Sequence, residues 1–313
     1  QTYKIMSFRT DYILHAQNFD ATNVDINNGF DFATHSPEDI RTLFSKVLQS
    51  GMHGLCFSMY EDGQKPGDHI SEEQVRRRLK IMSPYTKWVR SFSCIEGNEF
   101  VPKIARELSM KTLVGAWLGD DAEKNEKEIE ALIQLAKDGF VDIAAVGNEV
   151  MYRKDLTEDE LLAFIHKVRK EIPSHIPVGY VDAYYEFTIK PRITEACDVI
   201  LTNCYPYWEG TNHEYALSHM KSMYHQAKSV ANGKQVIITE TGWPSQGESF
   251  KDSHPSAENA MKYFINTQLW SKDENIEIFY FSSFDESWKV GPEGEVGAHW
   301  GIWDKNEKLK YGK

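Results

Sequence analysis

No window of this 313-residue chain approaches the roughly 18 consecutive apolar residues of a membrane helix, so no transmembrane segment is expected. Basic residues are in deficit. There are 35 Lys and Arg against 47 Asp and Glu, a net charge of -12. A nucleic-acid partner needs a basic patch, and none is expected here. Cysteine is scarce: Cys56, Cys94, Cys197 and Cys204 form no C-x-x-C pair, which argues against a zinc knuckle or a redox motif. Three of them lie in strand-like runs and read as small buried apolar residues. The chain lacks H-E-x-x-H, and His213, His219 and His225 fall on different faces of a helix, so no metal site is expected. Gly-x-Ser-x-Gly, the P-loop and the dinucleotide fingerprint are also missing, so serine catalysis has no signal and no cofactor is expected. No Asn-x-Ser/Thr acceptor occurs, which mildly disfavours a eukaryotic secreted glycoprotein. The first residue is Gln1 and not Met. It reads as the result of removing a signal peptide or of trimming the chain, and a secreted, periplasmic or cell-surface location in a bacterium is expected.

What is present is an alternation. Eight apolar, strand-like runs follow one another: Gly54–Tyr60, Thr86–Cys94, Thr112–Leu118, Ile143–Val150, Pro177–Val181, Val199–Pro206, Gln235–Thr241 and Glu277–Phe284. Buried parallel strands read as unbroken apolar runs of this kind. The segments between them look helical. Ser71-Glu-Glu-Gln74 and Thr157-Glu-Asp-Glu160 are capping boxes, and Gly139 and Gly233 stand where helix ends are capped. Eight such units predict a single-domain (β/α)8 TIM barrel over 54–313. Residues 1–53 are an extension whose Ser36–Ser50 stretch predicts a capped helix packed on the barrel bottom.

Two acids stand at strand tips. Val236-Ile-Ile-Thr-Glu240-Thr-Gly242-Trp243-Pro244 runs apolar into Glu240 and then into a turn. Val141-Asp-Ile-Ala-Ala-Val-Gly147-Asn148-Glu149 repeats that design on the fourth strand. Barrel enzymes build their sites at the C-terminal strand ends. Strands four and seven lie on facing sides, so Glu149 and Glu240 converge across the mouth. Two convergent carboxyl groups are the minimal equipment for breaking a glycosidic bond. Tyr60, Phe92, Trp117, Tyr207, Trp208, Trp243, Trp288 and Trp300 cluster near strand ends, and flat aromatic faces suit sugar rings. Trp243 and Trp300 are the foremost stacking candidates.

The sequence resembles glycoside hydrolase family 17. The resemblance rests on Gly147-Asn-Glu-Val150, Thr239-Glu-Thr-Gly-Trp-Pro-Ser245, Asn203-Cys-Tyr-Pro-Tyr207, Phe284-Asp-Glu-Ser-Trp-Lys289 and His299-Trp-Gly301. Tyr60-Glu-Asp-Gly-Gln64 and Pro206-Tyr-Trp-Glu-Gly210 look closer to its bacterial, laminarinase-like members. The resemblance implies a retaining enzyme that hydrolyses β-1,3-glucans such as laminarin. It implies Glu149 as general acid/base and Glu240 as nucleophile, and a separation between their carboxyl groups of about 5–5.5 Å. Asn148 would hold the sugar 2-OH and Tyr205 would orient the nucleophile. Glu286 and Lys289 would lie at the floor of the cleft. The partner expected is a β-1,3-glucan, the chain a monomer, and the action endo. Loops 182–188 and 290–298 would set whether the cleft is open at both ends. A glucan transglycosylase on the same scaffold is the alternative, ahead of a non-catalytic glucan-binding barrel.

Overall fold

The computed structural model describes residues 29–312. The expectations on residues 1–28 lie outside the described residues. Eight parallel strands close into a barrel in chain order. They are β1 Met52–Cys56, β2 Thr86–Ser91, β3 Lys111–Ala116, β4 Ile143–Asn148, β5 Val178–Ala183, β6 Val199–Asn203, β7 Gln235–Thr241 and β8 Ile278–Tyr280. Each matches one apolar run, and β4, β5 and β6 are buried along their whole length. Several runs extend past their strands, as after β1, β6 and β8, where Phe57–Met59, Cys204–Pro206 and Phe281–Phe284 stay buried.

The helices are α1 Pro37–Gln49, α2 Glu72–Met82, α3 Phe100–Glu107, α4 Ala122–Lys137, α5 Val150–Arg153, α6 Glu158–Glu171, α7 Glu186–Ile189, α8 Pro191–Ala196, α9 His213–Ser229, α10 Ala257–Asp273 and α11 Val290–Glu293. Helix α6 starts with the reciprocal capping box expected at Thr157 and Glu160. At Ser71 only half of the box forms. Ser71 accepts from Gln74 N, but the Gln74 amide is turned to the Met59 carbonyl at 2.8 Å.

Helix α1 is not beneath the barrel, as expected, but on its flank. Phe44 packs against Phe264 of α10 and against Tyr311, with ring centroids 4.9 and 5.3 Å apart. Among the described residues β8 is followed by the short α11 and two 3-10 turns, Ser287–Lys289 and Glu295–Ala298, so the sector between β8 and β1 lacks a long helix of its own. The helix that leads directly into β1 fills it.

The strand ladders slip near the C-terminal ends of β4, β6 and β7. Register shifts fall between Ala145 and Asn148, between Thr202 and Asn203, and between Ile238 and Thr241. All four cysteines are free and buried. Among the described residues no helix is long and apolar enough to cross a membrane.

Candidate active site

Glu149 follows β4 in a left-handed conformation, φ 52° and ψ 31°. A residue other than glycine costs about 1–2 kcal/mol there. Its N–H donates to the Val181 carbonyl at 2.8 Å, and its own carbonyl accepts from Arg153 N at 2.9 Å. Gly147, two residues earlier, also has positive φ, and a Cβ there would lie 2.9 Å from Val150 Cγ2. The chain therefore turns sharply, and the Glu149 carboxyl meets Asn203, whose Nδ2 donates to Oε1 at 3.0 Å. Thr239 Oγ1 holds the other side of that amide at 2.8 Å. Burial raises the Glu149 carboxyl to about 7, with the charge of Glu240 adding to it against the opposing pull of Asn203, Arg153 and Arg90.

Glu240 stands one residue before the end of β7. Arg90 Nη1 donates to its Oε1 at 2.6 Å, and the Tyr205 hydroxyl donates to its Oε2 at 2.6 Å. Arg90 Nη2 donates to Asn148 Oδ1 at 2.7 Å. Its guanidinium lies 4.1 Å from the centre of the Phe92 ring. One buried cation thus joins Asn148, the last residue of β4, to Glu240, the penultimate residue of β7. Gly242 lets β7 turn away just beyond Glu240, since a Cβ there would sit 2.0 Å from the Phe281 carbonyl oxygen.

Glu286 and Lys289 form a buried pair at 3.3 Å and not a surface pair, and Trp288 Nε1 donates to Glu286 Oε2 at 3.0 Å. Burial opposes the charge on Lys289, but Glu286, Glu293 and Glu240 outweigh it and raise the ammonium above its ordinary value. The ammonium sits 4.2 Å over the Phe281 ring. Glu240 is thus near enough for its charge to act on the Lys289 ammonium.

The aromatic residues divide into two groups. Tyr60, Phe92 and Trp288 are half-buried and Trp117 is 37% exposed. Tyr60 and Trp288 meet edge to face at 5.9 Å. Tyr207, Trp208, Trp243 and Trp300 instead form the wall behind Tyr205. Tyr207 is fully buried, ties the Glu248 carbonyl at 2.9 Å and sets its edge or face against Trp208, Trp243 and Trp300. Trp243 is 1% exposed, packs on Tyr263 and donates from Nε1 to the His254 carbonyl at 3.1 Å. Neither of its faces is open to a sugar, contrary to the expectation that it stacks on one. Trp300 stands edge-on to Tyr205 at 5.5 Å and leaves only 4% of its surface exposed.

Arg90 and Asn203 were not singled out as site residues from the sequence. A charged residue inside the run Trp88-Val-Arg90-Ser-Phe92 is the signal that could have found the first, because a buried guanidinium demands a partner. A depression of about 360 Å³ at the opposite end of the barrel, lined by Trp88, Lys111, Asp142, His175 and Glu277, is remote from both glutamates in this topology.

A sequence profile of the BtgE/BtgC glycoside hydrolase domain matches residues 54–301. A glucan 1,3-β-glucosidase of Candida albicans is 28% identical over 258 residues, covering 74% of this chain and 83% of the relative. A glucan 1,3-β-glucosidase of Saccharomyces cerevisiae is 26% identical over 307 residues, covering 90% and 97%. The glycoside hydrolase family 17 β-1,3-glucanosyltransferase of Rhizomucor miehei superposes with a TM-score of 0.74 at 29% identity, over 84% of this chain and 96% of that one. Its active-site mutant, with laminaritriose, gives 0.75. These relatives are fungal, so the bacterial, laminarinase-like affinity read from Tyr60–Gln64 and Pro206–Gly210 is not supported. The barrel is of the family 17 type, the matched region takes in Glu149, Glu240 and the residues that hold them, and the chain belongs to the BtgE/BtgC glycoside hydrolase family.

Proposed function

We propose that this enzyme cleaves β-1,3-glucosidic linkages by double displacement, with Glu240 as nucleophile and Glu149 as general acid/base. The observation that carries the reading is the unequal treatment of two neighbouring carboxyl groups. Burial keeps a proton on Glu149 up to about pH 7, while Glu240 faces the Arg90 cation at 2.6 Å. In the first step a Glu240 oxygen attacks the anomeric carbon as Glu149 passes its proton to the departing glycosidic oxygen. The charge on Glu240 disappears into the new ester bond, and with it one cause of the raised Glu149 value. Glu149 then takes a proton from water, whose oxygen displaces Glu240.

Asn148 gives its amide oxygen to Arg90, which leaves the NH2 as the donor for a sugar hydroxyl. Lys289, held charged, is a second donor. Half-open aromatics at separate points of the rim, Tyr60 with Trp288 and Trp117, support a groove longer than one sugar and hence cleavage within the glucan chain. Export to a cell surface or the surrounding medium goes with a polymeric substrate.

Transfer to a second sugar in place of water is the alternative second step, favoured by the 29% identity to the Rhizomucor glucanosyltransferase. The test is a time course on laminari-oligosaccharides with a 2-deoxy-2-fluoroglucosyl probe alongside. The expected result is a Glu240-containing peptide carrying the probe. Products longer than the substrate mean transfer, and a label on any other residue overturns the assignment.

A further inference from the structure

We infer that Tyr180 and Asp182 of β5 are positioning residues that hold the left-handed turn presenting Glu149. The inference rests on the acid/base role proposed for Glu149. After that residue the chain enters α5, whose first N–H groups have no partner within so short a helix. Met151 N donates to the Tyr180 hydroxyl at 2.9 Å, and Tyr152 N reaches Asp182 Oδ2 at 3.4 Å. The Tyr180 hydroxyl in turn donates to Asp182 Oδ2, and Ala183 N donates to Asp182 Oδ1 at 2.7 Å. Both side chains are buried, Tyr180 to 1% and Asp182 to 0% exposure. They alternate on one strand, so both face the same side, and Val181 between them takes the Glu149 N–H through its carbonyl. Three consecutive residues of β5 thus fix the amides of Glu149, Met151 and Tyr152.

β5 is buried along its whole length and pairs with β4 and β6 through its backbone. What the two side chains satisfy is the turn. A non-glycine residue at positive φ persists only where its surroundings over-determine it. Without those two acceptors the turn relaxes, and the proton of Glu149 is no longer aimed at the leaving oxygen.

The test uses Tyr180→Phe and Asp182→Asn, which keep volume and remove an acceptor. A correctly aimed acid matters for a sugar leaving group and hardly at all for dinitrophenolate, which departs without a proton. The expected result is a fall in kcat/KM of about tenfold or more on laminaritriose, against less than about threefold on dinitrophenyl β-glucoside. Amide exchange of the peptide covering 149–153 should accelerate about tenfold in the free variants while the rest of β5 keeps its protection. Equal losses on both substrates, or unchanged exchange at 149–153, overturn the inference. If the wild type turns over neither substrate, the proposed activity fails instead, and the exchange measurement still decides whether β5 holds the turn.

Discussion

Arg90 and Glu240 form an ion pair at 2.6 Å with side-chain exposures of 2% and 8%. A pair so deep cannot be halved without leaving a buried charge uncompensated. Arg90→Met should lower stability by about 3–5 kcal/mol and abolish turnover, because the floor then holds Glu240 without its cation. Arg90→Lys keeps the charge but loses the fork that also holds Asn148. It should fold and lose about a hundredfold in kcat/KM. Urea denaturation with kinetics on laminari-oligosaccharides reads both, and a Lys variant with wild-type kinetics would remove Arg90 from the site.

Glu149 gives a pH prediction for catalysis. Its proton is held to about 7 by burial first and by the charge on Glu240 second. The first chemical step uses that proton, so kcat/KM should fall as pH rises through about 7. Glu240→Gln removes the second cause. Carbon NMR titration of the Glu149 carboxyl should then find its midpoint lower than in the wild type, and an unmoved midpoint would mean that the two groups do not interact.

The same carboxyl affects stability. Its folded value lies above the ordinary 4.5, so the folded protein keeps a proton that the unfolded chain gives up. The stabilisation is complete below about pH 4.5 and is lost as pH rises through about 7. Glu149→Gln carries no such dependence. At pH 8 it should be more stable than the wild type by on the order of 2–3 kcal/mol, with the gap shrinking toward pH 5. Denaturant titrations at both values check this, and a variant less stable at pH 8 contradicts it.

Tyr205→Phe removes only the hydroxyl that donates to Glu240 Oε2 at 2.6 Å. A hydrogen bond to a charged group is worth about 1.5–3 kcal/mol, so kcat should drop roughly ten- to a hundredfold with KM little changed. A shift in KM alone would assign Tyr205 to sugar binding instead.

The two groups of aromatics should respond differently to truncation. Trp243→Ala empties a packed wall and should cost about 3–5 kcal/mol of stability. Trp288→Ala, at the half-open rim beside Tyr60, should leave the melting temperature within a few degrees and raise KM for long glucans. Calorimetry and chain-length kinetics separate these outcomes. A stable Trp243→Ala with a raised KM would place Trp243 in the sugar cleft instead.

The eight strands and both tip acids were legible because parallel strands exclude polar residues, so a glutamate at the end of such a run stands out. The conformation of Asn148 and Glu149 was not, since nothing local announces a left-handed glutamate. Arg90 was hidden for a different reason. Its partner lies on a strand far along the chain, and only barrel closure brings them together. The aromatic wall was misjudged because tryptophan serves a core and a sugar cleft equally well. Exposure there is decided by neighbours such as Tyr263 and the His254 carbonyl, which belong to other segments. Helix α1 was recognisable by its cap, but its seat on the flank depends on the missing long helix after β8.

The ladder slips at the barrel rim have a consequence for how this site can change. In a regular strand only every second residue faces inward. Here Asn148 and Glu149 both enter the floor network, through Arg90 and Asn203, and so do Thr239 and Glu240. The break in parity, and not residue identity alone, admits two neighbours to the same side. Removing one residue between Ala145 and Asn148, or between Ile238 and Thr241, would turn an acid outward while leaving composition almost untouched. Segment length at these two points is therefore as much a part of the site as the side chains: a deletion there would disarm the acids without touching any residue that holds them.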